Sequence, residues 1–131
     1  MSAQQIFVNL PVADLRRAIT FFTRIGFSFD EKFTDDSATC MIIGDNIFVM
    51  LLTHEKFRSF TPKPICDAHA ATEVLVCLSR GSREAVDAMV REAVAAGGST
   101  YNDPQDHGFM YGHGFQDPDG HIWELVHMQP A

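Results

Sequence analysis

The order of β-prone and helix-prone segments repeats once along the chain. That repetition limits the possible folds more than any single motif. The first segment, Ile6-Phe7-Val8-Asn9-Leu10, is β-prone, and Pro11 is expected to end it. Asp14 is a good helix N-cap. Leu15, Ala18, Ile19, Phe22 and Ile25 follow at helical spacing, with Arg16, Arg17, Thr20 and Arg24 on the other side. Gly26 is placed to stop the helix. Three β-prone stretches come next, 28–33, 38–43 and 47–52, with Gly44-Asp45-Asn46 as a turn between the last two.

Residues from His54 to about Thr72 read as a connector, because Thr61-Pro62-Lys63-Pro64 does not hold a regular element easily. The order then recurs. Residues 73–78 predict a strand. Gly81-Ser82 opens a helix whose Val86, Met89, Val90, Ala93 and Val94 share a face, and Gly97-Gly98 ends it. Strand-like stretches follow at 99–101, 110–116 and 121–127, with Asp117-Pro118-Asp119-Gly120 as the last turn. The pattern is βαβββ, linker, βαβββ. Module one runs over about 5–57, the linker over about 58–72 and module two over about 73–129, within one domain spanning 1–131. The expected class is α+β, two modules forming a curved mixed sheet around a cup. One module cannot bury its own sheet face, so duplication has a physical purpose.

Composition narrows the function. The chain has 131 residues, 46% of them hydrophobic, enough for a compact core. Its formal net charge of −7 repels phosphate backbones, so nucleic acid is not an expected partner. No apolar run approaches the ~20 residues of a membrane span, and no basic amphipathic segment suggests membrane binding. Met1 to Gln5 lack the basic start and apolar stretch of a signal peptide. Cys40, Cys66 and Cys77 are odd in number and widely spaced, which suits reduced thiols and a cytoplasmic location. Cys77, in an apolar strand, is expected to be core packing.

Two stretches about 110 residues apart carry a family resemblance. Asn9-Leu10-Pro11-Val12-Ala13-Asp14-Leu15, with Phe21-Phe22 and Ile25-Gly26-Phe27, resembles the opening of the vicinal oxygen chelate superfamily, which includes glyoxalases, bleomycin-resistance proteins and extradiol dioxygenases. The segment from Phe115 to Leu125, FQDPDGHIWEL, resembles its closing signature. The likeness is nearest the lactoylglutathione-lyase-related group. It implies one divalent metal in the cup, held from the first and last strands of each module. Position by position, the implied ligands fall on Phe7, on Leu51 (Met50 if the register slips), on Glu73 and on Glu124. Two of the four have no useful donor.

Several residues stand out as site candidates. Glu124 interrupts the apolar run Ile122-Trp123-Glu124-Leu125-Val126, where a carboxylate is costly unless paired or hydrated. It is the candidate catalytic residue. Glu73 opens an otherwise apolar strand; it faces the cup or sits at a strand end in water. Asn9 shares parity with Phe7, so the two point to one sheet face. Asn9 orients a ligand or bonds a neighbouring strand end. Tyr111 and Phe115 share a parity and are expected to line the cup with Phe7, or to be ordinary core. None of the six histidines falls on an implied ligand position, although His107, His113 and His121 lie near the closing motif.

Two functions remain open. One is a small-molecule-binding protein without the standard metal site and without chemistry, like the bleomycin-resistance proteins. The other is a divalent-metal-dependent, glyoxalase-like lyase or isomerase acting on a small oxygenated substrate; an extradiol dioxygenase fits less well. A homodimer is the expected assembly, since open strand edges otherwise stay unpaired.

Overall fold

The computed structural model describes residues 4–129. Residues 1–3 and the last two residues lie outside that range, including part of the start read for targeting. The chain divides into two compact units, Met1–Cys66 and Asp67–Ala131.

The first unit contains β1 (Ile6–Val12), α1 (Leu15–Arg24), β2 (Ser28–Asp30), β3 (Ala38–Gly44), β4 (Ile47–Thr53) and the short α2 (His54–Arg58). Its four-stranded sheet has the order β1-β4-β3-β2, with β1 parallel to β4 and the other pairs antiparallel. The Asp14 side chain caps α1 by accepting from the Arg17 N–H. Leu15, Ala18, Phe21 and Phe22 of α1 are buried, as are Leu10, Val12, Met41, Val49 and Leu51 of the strands. Each of the larger of these side chains, Ala18 aside, contributes roughly 1.5–3 kcal/mol of burial. Pro11 does not end β1. The strand runs through it to Val12 because β1 is an edge strand, where a missing N–H is tolerated.

The second unit repeats the order with β5 (Leu75–Ser79), α3 (Arg83–Ala95), β6 (Gln105–Asp106), β7 (Met110–Gln116) and β8 (Ile122–Met128). The sheet order is β5-β8-β7-β6, with β5 parallel to β8. Ser82 caps α3 by accepting from Ala85 N–H. Val86, Met89, Val90 and Ala93 of the helix are buried, as are Phe115, Trp123 and Leu125 of the sheet. The Phe115 and Trp123 rings stack at 6.3 Å.

The closing turn is built around Asp117, which is only 4% exposed. Its Oδ1 accepts from the Asp119 and His121 N–H groups, and its Oδ2 accepts from Trp123 Nε1 at 3.0 Å. Burial pushes the Asp117 carboxyl above the ordinary range, while His121 and the indole bond pull the other way. Gly120 adopts φ +88°, and a β-carbon there would lie 2.8 Å from the His69 backbone nitrogen. Only glycine suits both the conformation and the space.

Four expectations are corrected. The 28–33 stretch pairs only to Asp30, then tightens into a 3-10 turn, Glu31–Phe33, capped by Asp30. The connector is not irregular throughout, since Thr53 caps α2. Residues 99–101 form no strand beyond a single bridge from Ser99 to Gln116; the edge strand is β6. Strand β5 begins at Leu75, leaving Glu73 outside it, and its burial alternates along the strand.

Candidate functional site

The register of the second sheet sets Cys77, Glu124 and Gly114 side by side across β5, β8 and β7. Paired residues share a face, and this row lies on the face turned away from α3, since the alternate residues Phe115, Trp123 and Leu125 are the buried ones. Gly112 and Gly114 fall on the same open face, so β7 offers no side chain at either place. The Tyr101 hydroxyl occupies the space above Gly114. The result is a cavity of about 230 Å³ bordered by Tyr101, Asp103, His107, Met110, Glu124 and their neighbours.

The cavity's polar groups are unevenly satisfied. Among the described residues the Glu124 carboxylate makes no hydrogen bond and no ion pair. Burial pushes the Tyr101 phenol up, and the Glu124 and Cys77 charges add to the rise. Burial likewise raises the Cys77 thiol, again reinforced by Glu124. At neutral pH Glu124 therefore stands beside a neutral hydroxyl and a neutral thiol.

The loop that supplies one wall is held from α3. Arg83 donates to both carboxylate oxygens of Asp106, at 2.6 and 2.9 Å, and to the Gly108 carbonyl. The Arg83 guanidinium lies 5.1 Å from the Tyr111 ring centre, and Tyr111 donates to Asp87 at 2.6 Å. The Arg83 bond holds Asp106 down at about 2, and the Asp87 bond pushes Tyr111 up to about 12.

The residues singled out from sequence are distributed unequally. Glu124 reaches the cavity. Glu73 lies exposed in a bend before β5. Tyr111 and Phe115 do share a face, but it is the helix side: Tyr111 bonds to α3 and Phe115 is 0% exposed. They do not line the open face, because strand alternation sends it Gly112 and Gly114 instead. Phe7 and Asn9 share the open face of the first sheet, where Phe7 stacks on Phe48 at 5.0 Å and Asn9 pairs in register with Met50. Leu51 is 0% exposed and points to the helix side, so Met50 is the residue facing with Phe7. Cys77 is exposed, not core. His121 is buried in the closing turn. Tyr101 and Cys77 were not singled out for the site. The glycine alternation Gly112-His113-Gly114, which clears one strand face, was the available signal.

The superfamily's metal can be tested against these positions. Phe7 offers a hydrocarbon ring and Met50 a weak thioether. Glu73 stands outside the strand. Among the described residues no three His, Cys, Asp or Glu side chains group closely enough to hold a metal ion. The donor set does not fit zinc, nickel or iron.

Sequence and fold comparison place the chain in a family. The model of the Glyoxalase/Bleomycin resistance protein/Dioxygenase superfamily matches residues 4–125, and the chain belongs to that superfamily. No curated protein matches. A hypothetical protein from S. aureus is 25% identical, with a TM-score of 0.81 over 96% of this chain and 94% of its own. A glyoxalase/bleomycin resistance protein/dioxygenase family enzyme from Burkholderia phytofirmans is 19% identical, with a TM-score of 0.79 over 97% and 100%. A bleomycin resistance determinant encoded on the transposon Tn5 is 20% identical, with a TM-score of 0.67 over 98% and 100%.

Proposed function

We propose that this chain binds a small molecule in the cavity around Glu124 and does so without the superfamily's standard metal. The observation that carries this is the contrast in donors: Phe7 and Met50 stand where ligands are implied, while Glu124 keeps an unpartnered carboxylate on a cavity. A bleomycin resistance determinant has the same fold, which supports a binding role. The same reading takes the protein as a cytoplasmic homodimer. Phe7, 49% exposed, and Leu75, 53% exposed, are apolar surface that a second copy would cover.

A second reading is a divalent-metal lyase or isomerase acting on a small oxygenated substrate, with Glu124 as ligand or base. The retained Glu124 favours it. Elemental analysis of protein purified without chelator separates the two. The binding-protein reading expects no stoichiometric zinc, nickel or iron after dialysis. Close to one metal per chain would establish the second reading in its place.

A further inference from the structure

The residues around the cavity carry charge of one sign. Asp103 and Glu124 are the carboxylates on its border, and no lysine or arginine reaches it. Arg83, the nearest cation on the adjoining helix, is committed to Asp106 and the Gly108 carbonyl. The basic residues of the lining are two histidines, His107, exposed on the loop, and His113, on strand β7. Glu124 itself has no hydrogen-bond or ion-pair partner among the described residues. A carboxylate held this way on a concave surface, between an apolar strand face and a phenol, is costly without a counter-charge.

The rest of the lining says what else the ligand must be. Gly112 leaves the floor clear beside the Tyr101 hydroxyl that covers Gly114, and Met110 and Val126 add apolar surface. The Tyr101 hydroxyl beside Glu124 supplies a neutral group that accepts or donates. The volume of about 230 Å³ lies below the range of drug-sized sites, so the occupant is compact.

Resting on the reading that this cavity is the binding site, we infer that it takes a small organic cation. A protonated amine or guanidine would set its N–H groups against Glu124 and its compact apolar body over Gly112, against Met110 and Val126. An anionic ligand would meet two carboxylates and no fixed cation. A neutral one would leave Glu124 uncompensated.

The test uses the intact chain and three probes of one shape: benzylammonium, benzyl alcohol and benzoate, at equal ionic strength, followed by amide chemical shifts. Benzylammonium should move the amides of Tyr101, Gly112, Gly114 and Glu124, and bind at least roughly tenfold more tightly than benzyl alcohol, as a charge-assisted hydrogen bond implies. Added salt should weaken it. Glu124→Gln should remove the preference for the cation, and Glu124→Asp should retain it. If Glu124→Gln does not fold, the probe series and salt dependence of the unaltered chain still decide. Equal or tighter binding of benzyl alcohol or benzoate at these amides overturns the cation inference and leaves the cavity reading standing. No shift at these amides from any probe overturns both.

Discussion

The Tyr101 hydroxyl sits where a β-carbon on residue 114 would have to be. The same β-carbon would also lie 2.7 Å from the Trp123 carbonyl oxygen, on the neighbouring strand. Tyr101 can swing away, but the strand backbone cannot retreat without disturbing the buried Trp123. Gly114→Ala should therefore destabilise the chain by ~1–3 kcal/mol, the usual range for forcing volume into a packed place. It should also expel Tyr101 from its position over the strand. Urea unfolding would measure the first effect, and tyrosine fluorescence or amide shifts the second. Unchanged stability would show that the contact is softer than described.

The two tyrosines of the chain, Tyr101 and Tyr111, should both resist ionisation. Burial raises Tyr101, with Glu124 next, and the bond to Asp87 pushes Tyr111 to about 12. Spectrophotometric titration should show little phenolate near the ordinary value of about 10. Because the folded value of Tyr111 is raised, its contribution to stability is complete below the unfolded value and is lost as pH rises through about 12. Tyr111→Phe should leave one titrating group, still raised. A full phenol titrating at the ordinary value while the protein remains folded would contradict both environments.

Asp106 gives the opposite pH dependence at the other end of the scale. Its folded value is depressed to about 2, chiefly by Arg83. Its contribution is therefore present above the unfolded carboxylate value of about 3.9 and is lost as pH falls toward 2. The pair is solvent-exposed, so the effect should be local. Asp106→Asn should speed amide exchange over residues 105–109 and leave the melting temperature nearly unchanged. Equal exchange in the two proteins would mean that Arg83 does not hold this wall.

Much of the fold was legible because local signals agreed with long-range ones. Asp14 and Ser82 cap the helices that their spacing indicates, and the turn at Gly44-Asp45-Asn46 separates two strands as expected. The failures are places where pairing decides. Nothing local tells that Pro11 lies on an edge, or that Glu73 falls just before β5. The candidate cavity was legible only in one residue. A carboxylate amid apolar residues singled out Glu124, which borders it. Parity grouped Tyr111 with Phe115 correctly, yet parity cannot say which face a helix will cover. Asp87 and Arg83 on α3 settle that for Tyr111. Tyr101 reaches the site from an irregular segment, which no periodicity describes.

In solution the chain should behave as a dimer of about twice its 14.6 kDa mass. Phe7 and Leu75 are exposed apolar residues on β1 and β5, which are edge strands. Light scattering after size exclusion, across micromolar concentrations, measures this directly. A single-chain mass throughout would refute it.

The closing motif holds two carboxylates, Asp117 and Glu124, that the structure treats in opposite ways, and paired substitutions should separate them. Asp117 is buried and accepts three hydrogen bonds, two from backbone N–H groups and one from Trp123. Asp117→Asn replaces one accepting oxygen with a donor and turns it on a donor. Leaving a buried group unsatisfied costs ~1–3 kcal/mol, more where a charge was being solvated, so a loss of ~2–4 kcal/mol is expected. Glu124 is only partly buried and bonds to nothing described. Glu124→Gln keeps the shape and removes a charge that lacks a partner. It should be neutral or mildly stabilising, by roughly 0–2 kcal/mol, since relief of an uncompensated charge favours the folded state. Thermal melting of the two variants beside the parent reads both effects at once. Should Glu124→Gln cost as much as Asp117→Asn, Glu124 would be a structural anchor like its neighbour, and its claim to a ligand would fail.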